Sequence, residues 1–114
     1  MRPKHVANLT FPTKKDGSLR PCVDESLINS KVEILPVGVP SVQEVKDRLD
    51  PKKNIFVVLD LANGFNTIPL KKEAIPYACV WGPNGQIWAY TVMTFGWTNA
   101  PQHFRNWMSY VLAN

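Results

Sequence analysis

The run Asn54-Ile55-Phe56-Val57-Val58-Leu59-Asp60 sets the tightest limit on what this chain can fold into. Its residues are apolar from Ile55 to Leu59 with no polar alternation. A short run of this kind predicts a strand over 54–60 buried on both faces, which demands packed layers on either side. The run then ends in a carboxylate, and apolar Leu61 follows at once. A carboxylate there is costly unless it is hydrogen-bonded, ion-paired or bound to a cation. On residue chemistry alone three readings of Asp60 stand open: a cap that accepts amide hydrogen bonds from the next turn, a metal ligand, or half of a structural ion pair.

The rest of the chain is that of one small domain. It has 114 residues, 45% hydrophobic and 19% charged, a globular rather than a disordered balance. No apolar run has the length of a membrane span, and no basic-then-apolar leader opens the chain. Cys22 and Cys79 lack metal-type or redox spacing and read as buried thiols of an intracellular, reducing compartment. The formal net charge of +4 suits an anionic partner such as nucleic acid, although many basic domains bind none.

Ten prolines break the chain, five of them in the first 40 residues, so the first third is expected to hold short strands and turns. Residues 6–13 read as extended, Asp16-Gly17 as a tight hairpin turn, and 18–24 as the returning strand. A helical turn is placed at 25–30 and a linker at 31–40. Ser41 with Glu44 matches a capping box opening a helix that Asp50-Pro51 ends. After strand 54–60, a tight turn at Ala62-Asn63-Gly64 leads to a strand at 66–70. A second hairpin, YACVW-GPNG-QIWAYTVM, turns at Gly82 to Gly85. A final helix starts near Asn99, which reads as its N-cap, with Pro101 in its first turn and an apolar stripe of Phe104, Trp107, Met108, Val111 and Leu112. His5 and His103 have no ligand-like neighbours and read as surface or packing residues.

Three blocks, in order, carry a resemblance. Asp60-Leu61-Ala62-Asn63-Gly64-Phe65 resembles the first catalytic motif of reverse transcriptases, and its wording is similar to spumavirus and long-terminal-repeat retrotransposon polymerases. Residues 13–29, TKKDGSLRPCVDESLIN, resemble the fingertip motif of that family. Residues 93–104, MTFGWTNAPQHF, resemble its Met-Pro-Phe-Gly-Leu-x-Asn-Ala-Pro-x-x-Phe motif. The resemblance implies an α+β fold: a partial right-hand polymerase, with fingers plus the first half of the palm, antiparallel strands and packed helices. It divides the chain into fingers at 1–35, palm with the first catalytic motif at 36–70, a fingers hairpin at 71–93, and a palm turn and helix at 94–114. It implies templated DNA synthesis by two-metal phosphoryl transfer, with Mg2+ or Mn2+ as cofactor. The implied partners are template and primer nucleic acid, deoxynucleoside triphosphates and the remainder of the palm, with no membrane.

The resemblance also assigns residues. Lys14, Lys15 and Arg20 place three cations on a tight hairpin, where Arg20 and one of the lysines would grip triphosphate oxygens; without the resemblance they are a solvated basic hairpin. Asp60 becomes the catalytic metal ligand, with the Leu61 carbonyl beside it, and Leu61 and Ala62 offer backbone groups to the nucleotide. Phe65 stands where the family places an aromatic that excludes a 2′-hydroxyl; otherwise it is an ordinary core ring. Phe95 would face the nucleotide, and Gly96, Trp97 and Gln102 the template and primer; otherwise these aromatics pack in the core.

Some residues depart from the pattern. Glu25-Ser26 stands where the family commonly has an aromatic and an arginine, which suggests a lost ion pair. Thr94 replaces a proline, and Trp97 a leucine. After Asp50 the acids are Asp60 and Glu73, and Glu73 sits on a Lys-Lys-Glu surface turn. Two-ion chemistry needs several carboxylates, which the family draws in part from a Tyr-x-Asp-Asp hairpin. The chain alone is therefore expected to be inactive, as a fragment or a degraded or co-opted copy. The alternative function is a non-catalytic nucleic-acid-binding or interaction module, and nothing in these residues encodes a ribonuclease H.

Overall fold

The computed structural model describes residues 1–113. Its elements are short and mixed, as the α+β expectation requires. Strands β1 (Val6–Ala7), β2 (Leu9–Thr10) and β3 (Cys22–Val23) lead to the helical turn α1 (Ser26–Asn29) and helix α2 (Val42–Asp47). Strands β4 (Cys79–Trp81) and β5 (Ile87–Ala89) precede the long helix α3 (Ala100–Leu112).

The Asp16-Gly17 turn forms where the sequence places it. Gly17 has φ +83°, a conformation only glycine adopts freely. The Asp16 carboxylate accepts the Ser18 amide at 3.0 Å and its hydroxyl at 2.6 Å. Those bonds, the hydroxyl's first, hold the Asp16 carboxyl below its ordinary range. Thr13 bridges Leu19, and further out β2 pairs antiparallel with β3, Leu9 against Val23. The second hairpin also forms: β4 pairs antiparallel with β5, and Gly82 donates to the Gln86 carbonyl at 2.8 Å. A pairing with no local signal is added by β1, which runs parallel to β4 and completes a three-stranded sheet in the order β1-β4-β5.

The capping box of α2 is complete. The Glu44 amide donates to Ser41 Oγ at 3.2 Å, and the Glu44 carboxylate accepts the Ser41 amide at 2.6 Å. Asn99 does sit at the N-cap of α3, but its side chain makes no capping bond. Instead its amide accepts from the Leu35 amide and donates to the Glu33 carbonyl, tying the 31–40 linker to the start of α3.

Two expectations are corrected. The expected strand over 66–70 begins instead in a 3-10 turn, Gly64–Thr67, entered through Asn63 in the left-handed region at φ 53°. Only then does the chain pair, with Leu70 donating to Thr91 and Met93 to Ile68. The strand over 54–60 is neither paired nor buried. Ile55 is 85% exposed and Val58 89%. A both-faces-buried strand needs neighbours at its edges and layers on its faces, and no described residue supplies them.

The core is accordingly small. It is centred on the β1-β4-β5 sheet, with Ala7, Ala78, Cys79, Val80, Met93 and Ala100 buried. Cys22 and Cys79 are both free thiols, and burial raises the Cys79 thiol above its ordinary value. The radius of gyration is 17.6 Å, against about 13 Å for a compact chain of this length. No described helix is long and apolar enough to cross a membrane.

Candidate functional site

The basic hairpin gathers its cations as its turn chemistry dictates. With Lys14 and Arg20 on facing strands and Asp16 tied into the turn, Lys14, Lys15 and Arg20 line one open cleft of about 520 Å³ with Pro12, Thr13 and Asp16. Among the described residues, the ion pair within 4.0 Å joins His5 and Glu25. The three hairpin cations thus face solvent with no ion-pair partner within 4.0 Å among the described residues. Unneutralised cations on a preformed turn can meet a polyphosphate without first breaking internal pairs.

Asp60 ends the exposed run, and its Oδ1 accepts the amide of the next residue, Leu61, at 2.9 Å. It does not cap the following 3-10 turn, which begins at Asn63 without a side-chain cap. No ion pair reaches Asp60 among the described residues. Nor do the described residues hold a group of three or more His, Cys, Asp or Glu side chains suited to a metal ion. Magnesium takes near-octahedral oxygen ligation and needs more than one protein carboxylate in a two-ion site. Asp60 with the Leu61 carbonyl is therefore a partial donor set and does not by itself fit the pair of ions.

Phe65 is half-buried in an aromatic cluster. Its ring lies 4.8 Å from Phe95 and 5.4 Å from Phe104, the latter edge-to-face. The α3 helix thus packs on the turn that follows Asp60, and Phe104 is the part of its apolar stripe that makes this contact. Phe95 stays 60% exposed, so one face of the cluster is open.

The turn after Phe95 is held from the α1 segment. Gly96 has φ +100°, and a Cβ there would meet the Val23 carbonyl at 3.3 Å. The chain that approaches Gly96 is thus its own. Asn29 donates to the Gly96 carbonyl at 2.7 Å and accepts the Thr98 amide at 3.0 Å. Trp97 donates its indole N–H to the Glu25 carboxylate at 2.6 Å. Asp24, next to it, accepts both the Ser26 hydroxyl and amide, which hold its carboxyl below the ordinary range. Gln102, expected to reach nucleic acid, has both ends of its amide engaged within the chain, accepting from the Gly38 amide and donating to Asn106.

The structure thus brings Lys14, Lys15 and Arg20 together, and Phe65 with Phe95, while no hydrogen bond or ion pair among the described residues links the two groups or joins either to Asp60. Sequence reasoning missed the contact between Glu25 and His5, the latter read as a surface or packing residue. Glu25 is 4% exposed and His5 lies 3.6 Å from it, so neither is a surface residue. The available signal was Trp97, whose indole N–H needs a partner once it is covered.

The chain is 29% identical over 105 residues to the Transposon Tf2-3 polyprotein of Schizosaccharomyces pombe, covering 90% of this chain and 8% of that protein. The Tf2-7 polyprotein of the same organism matches at the same identity and coverage. The chain therefore spans about 8% of the length of the curated relatives it matches. Its fold superposes on the crystal structure of prototype foamy virus protease-reverse transcriptase with a TM-score of 0.77 at 19% identity, covering 100% of this chain and 15% of that one. The family described as reverse transcriptase (RNA-dependent DNA polymerase) matches residues 12–114, and the chain belongs to that family.

Proposed function

We propose that this chain forms the nucleotide- and template-facing part of an RNA-directed DNA polymerase: fingers at 1–35 and 71–93, and the first half of the palm at 36–70 and 94–114. The observation that carries the reading is the set of unpaired cations, Lys14, Lys15 and Arg20, around one cleft. In this role Arg20 and a lysine hold the triphosphate of an incoming deoxynucleotide. Backbone groups of Leu61 and Ala62 flank it, and Phe65, backed by Phe104, presents its ring to the sugar while Phe95 borders the same space. Gly96, Trp97 and Gln102 lie along the template and primer.

Asp60 and the Leu61 carbonyl contribute ligands for Mg2+ or Mn2+, which supplies charge neutralisation at the phosphate when the site is complete. The partial donor set means that this chain does not carry out the transfer alone. A second reading rests on that same shortfall of carboxylates: a non-catalytic nucleic-acid-binding module that keeps the basic cleft without the chemistry.

Both readings require the cleft to bind anionic ligands. Binding of a labelled primer–template and of a deoxynucleoside triphosphate, measured by fluorescence anisotropy, is expected to be weak and to fall steeply with salt. Arg20→Ala is expected to weaken it about fivefold or more and to reduce the salt slope by about one unit. Lys46→Ala, on the exposed side of α2, is expected to change it little. Equal losses from both would reduce the cleft to diffuse attraction and remove the basis of the proposal.

A further inference from the structure

Two residues that depart from the family pattern, Glu25 and Trp97, are 72 positions apart in sequence and 2.6 Å apart in space. Glu25 stands where an aromatic is common and Trp97 where a leucine is common. Their contact lies beside the double clamp that Asn29 makes on Gly96 and Thr98. Gly96 packs closely here: a Cβ on it would lie 3.5 Å from the Glu25 side chain. The Phe95–Thr98 turn is therefore fixed to the α1 segment at three successive residues, Gly96 and Thr98 by Asn29 and Trp97 by the titratable Glu25.

We propose that Glu25 is a positioning residue for this reverse transcriptase fold: through the Trp97 indole it sets the Phe95-Gly96-Trp97 turn against template and nucleotide. The role rests on the functional reading above. Glu25 acts through Trp97 and touches no substrate itself.

The surroundings make the contact sensitive to protonation. One carboxylate oxygen of Glu25 accepts the indole N–H, while the other, buried, has no hydrogen-bond partner and faces the equally unpartnered His5 Nε2 at 3.6 Å. The titratable groups that face Glu25 are His5 and the adjacent Asp24. Burial raises the Glu25 carboxyl above its ordinary value of 4.5, against the opposing pull of the Trp97 bond and His5. Glu25 consequently takes up its proton at a higher pH in the folded chain than in the unfolded one. The charge-assisted bond to Trp97 weakens as pH falls through that raised value. By the same linkage, the buried ionised carboxylate opposes folding: stability declines as pH rises from about 4.5 through the raised value. Glu25→Gln keeps an acceptor for the indole and removes this titration.

The test combines a structural and a binding measurement on the full 114-residue chain. In ¹H–¹⁵N spectra, the indole proton of Trp97, assigned by its loss in Trp97→Phe, is expected to be displaced downfield at pH 7. It should move with pH across the Glu25 titration. In Glu25→Gln the signal should stay near that position and become independent of pH, and in Glu25→Leu it should return to the value of a free indole. In primer–template anisotropy, Glu25→Leu and Trp97→Phe are each expected to weaken binding roughly fivefold. Glu25→Gln should restore most of the loss and flatten the pH profile above 4.5.

Trp97→Phe keeps an aromatic in place, so it reads the lost donor even if Glu25→Leu does not fold. An indole signal that ignores Glu25 would overturn the pair. A signal that follows Glu25, with unchanged binding in Glu25→Leu and Trp97→Phe, would overturn the positioning role while leaving the pair. Absence of binding by the unaltered chain would overturn the functional reading and the positioning role with it, and the indole signal would still report the contact.

Discussion

Purified chain, given primer, template, deoxynucleotides and magnesium, is expected to extend no primer above a heat-treated control. Phosphoryl transfer through two divalent ions needs several carboxylates converging on one point, and among the described residues no group of three or more His, Cys, Asp or Glu side chains gathers around Asp60, whose Oδ1 is engaged with the Leu61 amide. The same chain joined to a related palm segment that carries a Tyr-x-Asp-Asp hairpin is expected to gain template-dependent extension. In that joined protein Asp60→Asn should lower extension by about 10³-fold or more, because the amide keeps the shape but loses the charge that holds the cation. The melting temperature should hardly move, since Asp60 is exposed and makes one short-range bond. Extension by the chain alone would refute the donor argument. Full activity of Asp60→Asn would return Asp60 to the role of a local turn acceptor.

The second large effect concerns Phe65. Its ring bridges the turn after Asp60, Phe95 and helix α3 through Phe104. Removing it takes away a half-buried aromatic with two ring partners, so Phe65→Ala is expected to destabilise the chain by about 2 kcal/mol. Thermal melting of the chain checks this directly. In the joined, active protein the same change should also admit ribonucleotides if, as proposed, the Phe65 ring on the open side of the cluster excludes a 2′-hydroxyl. Extension with ribonucleotides and with deoxynucleotides separates the two roles. A stability loss with unchanged sugar selection makes Phe65 a packing residue. Relaxed selection with unchanged stability means that Phe104 packs without it.

Local chemistry was legible in the residues. Ser41 with Glu44 specified its capping box, Asp16-Gly17 its turn, and Gly82 to Gly85 its hairpin, because each depends on atoms a few residues apart. The three motif blocks were legible for the same reason, being contiguous wording. Long-range partners were not. Nothing in Val6-Ala7 announces a parallel register with Cys79–Trp81. His5, Glu25 and Trp97 come from three distant segments, and only the fold makes them neighbours. The run Ile55 to Leu59 shows the opposite failure. Its composition states what environment it suits, but an apolar strand is buried only if strands and layers are there to bury it.

The exposed run has a thermodynamic consequence. The chain presents 9297 Å² of surface, whereas a closed domain of its mass presents roughly 6,300 Å². Folding then removes from water about half of the unfolded chain's surface rather than about two-thirds. Both the steepness of urea unfolding and the heat-capacity increment scale with the surface newly exposed. The urea slope of the monomeric chain is therefore expected to be about three-quarters of that of a closed domain of equal length, with a correspondingly shallow, broad transition. A slope equal to that of a closed domain would show that the exposed apolar surface, the Ile55–Leu59 run included, is covered in solution, and a slope that steepens with protein concentration would show that a second copy covers it.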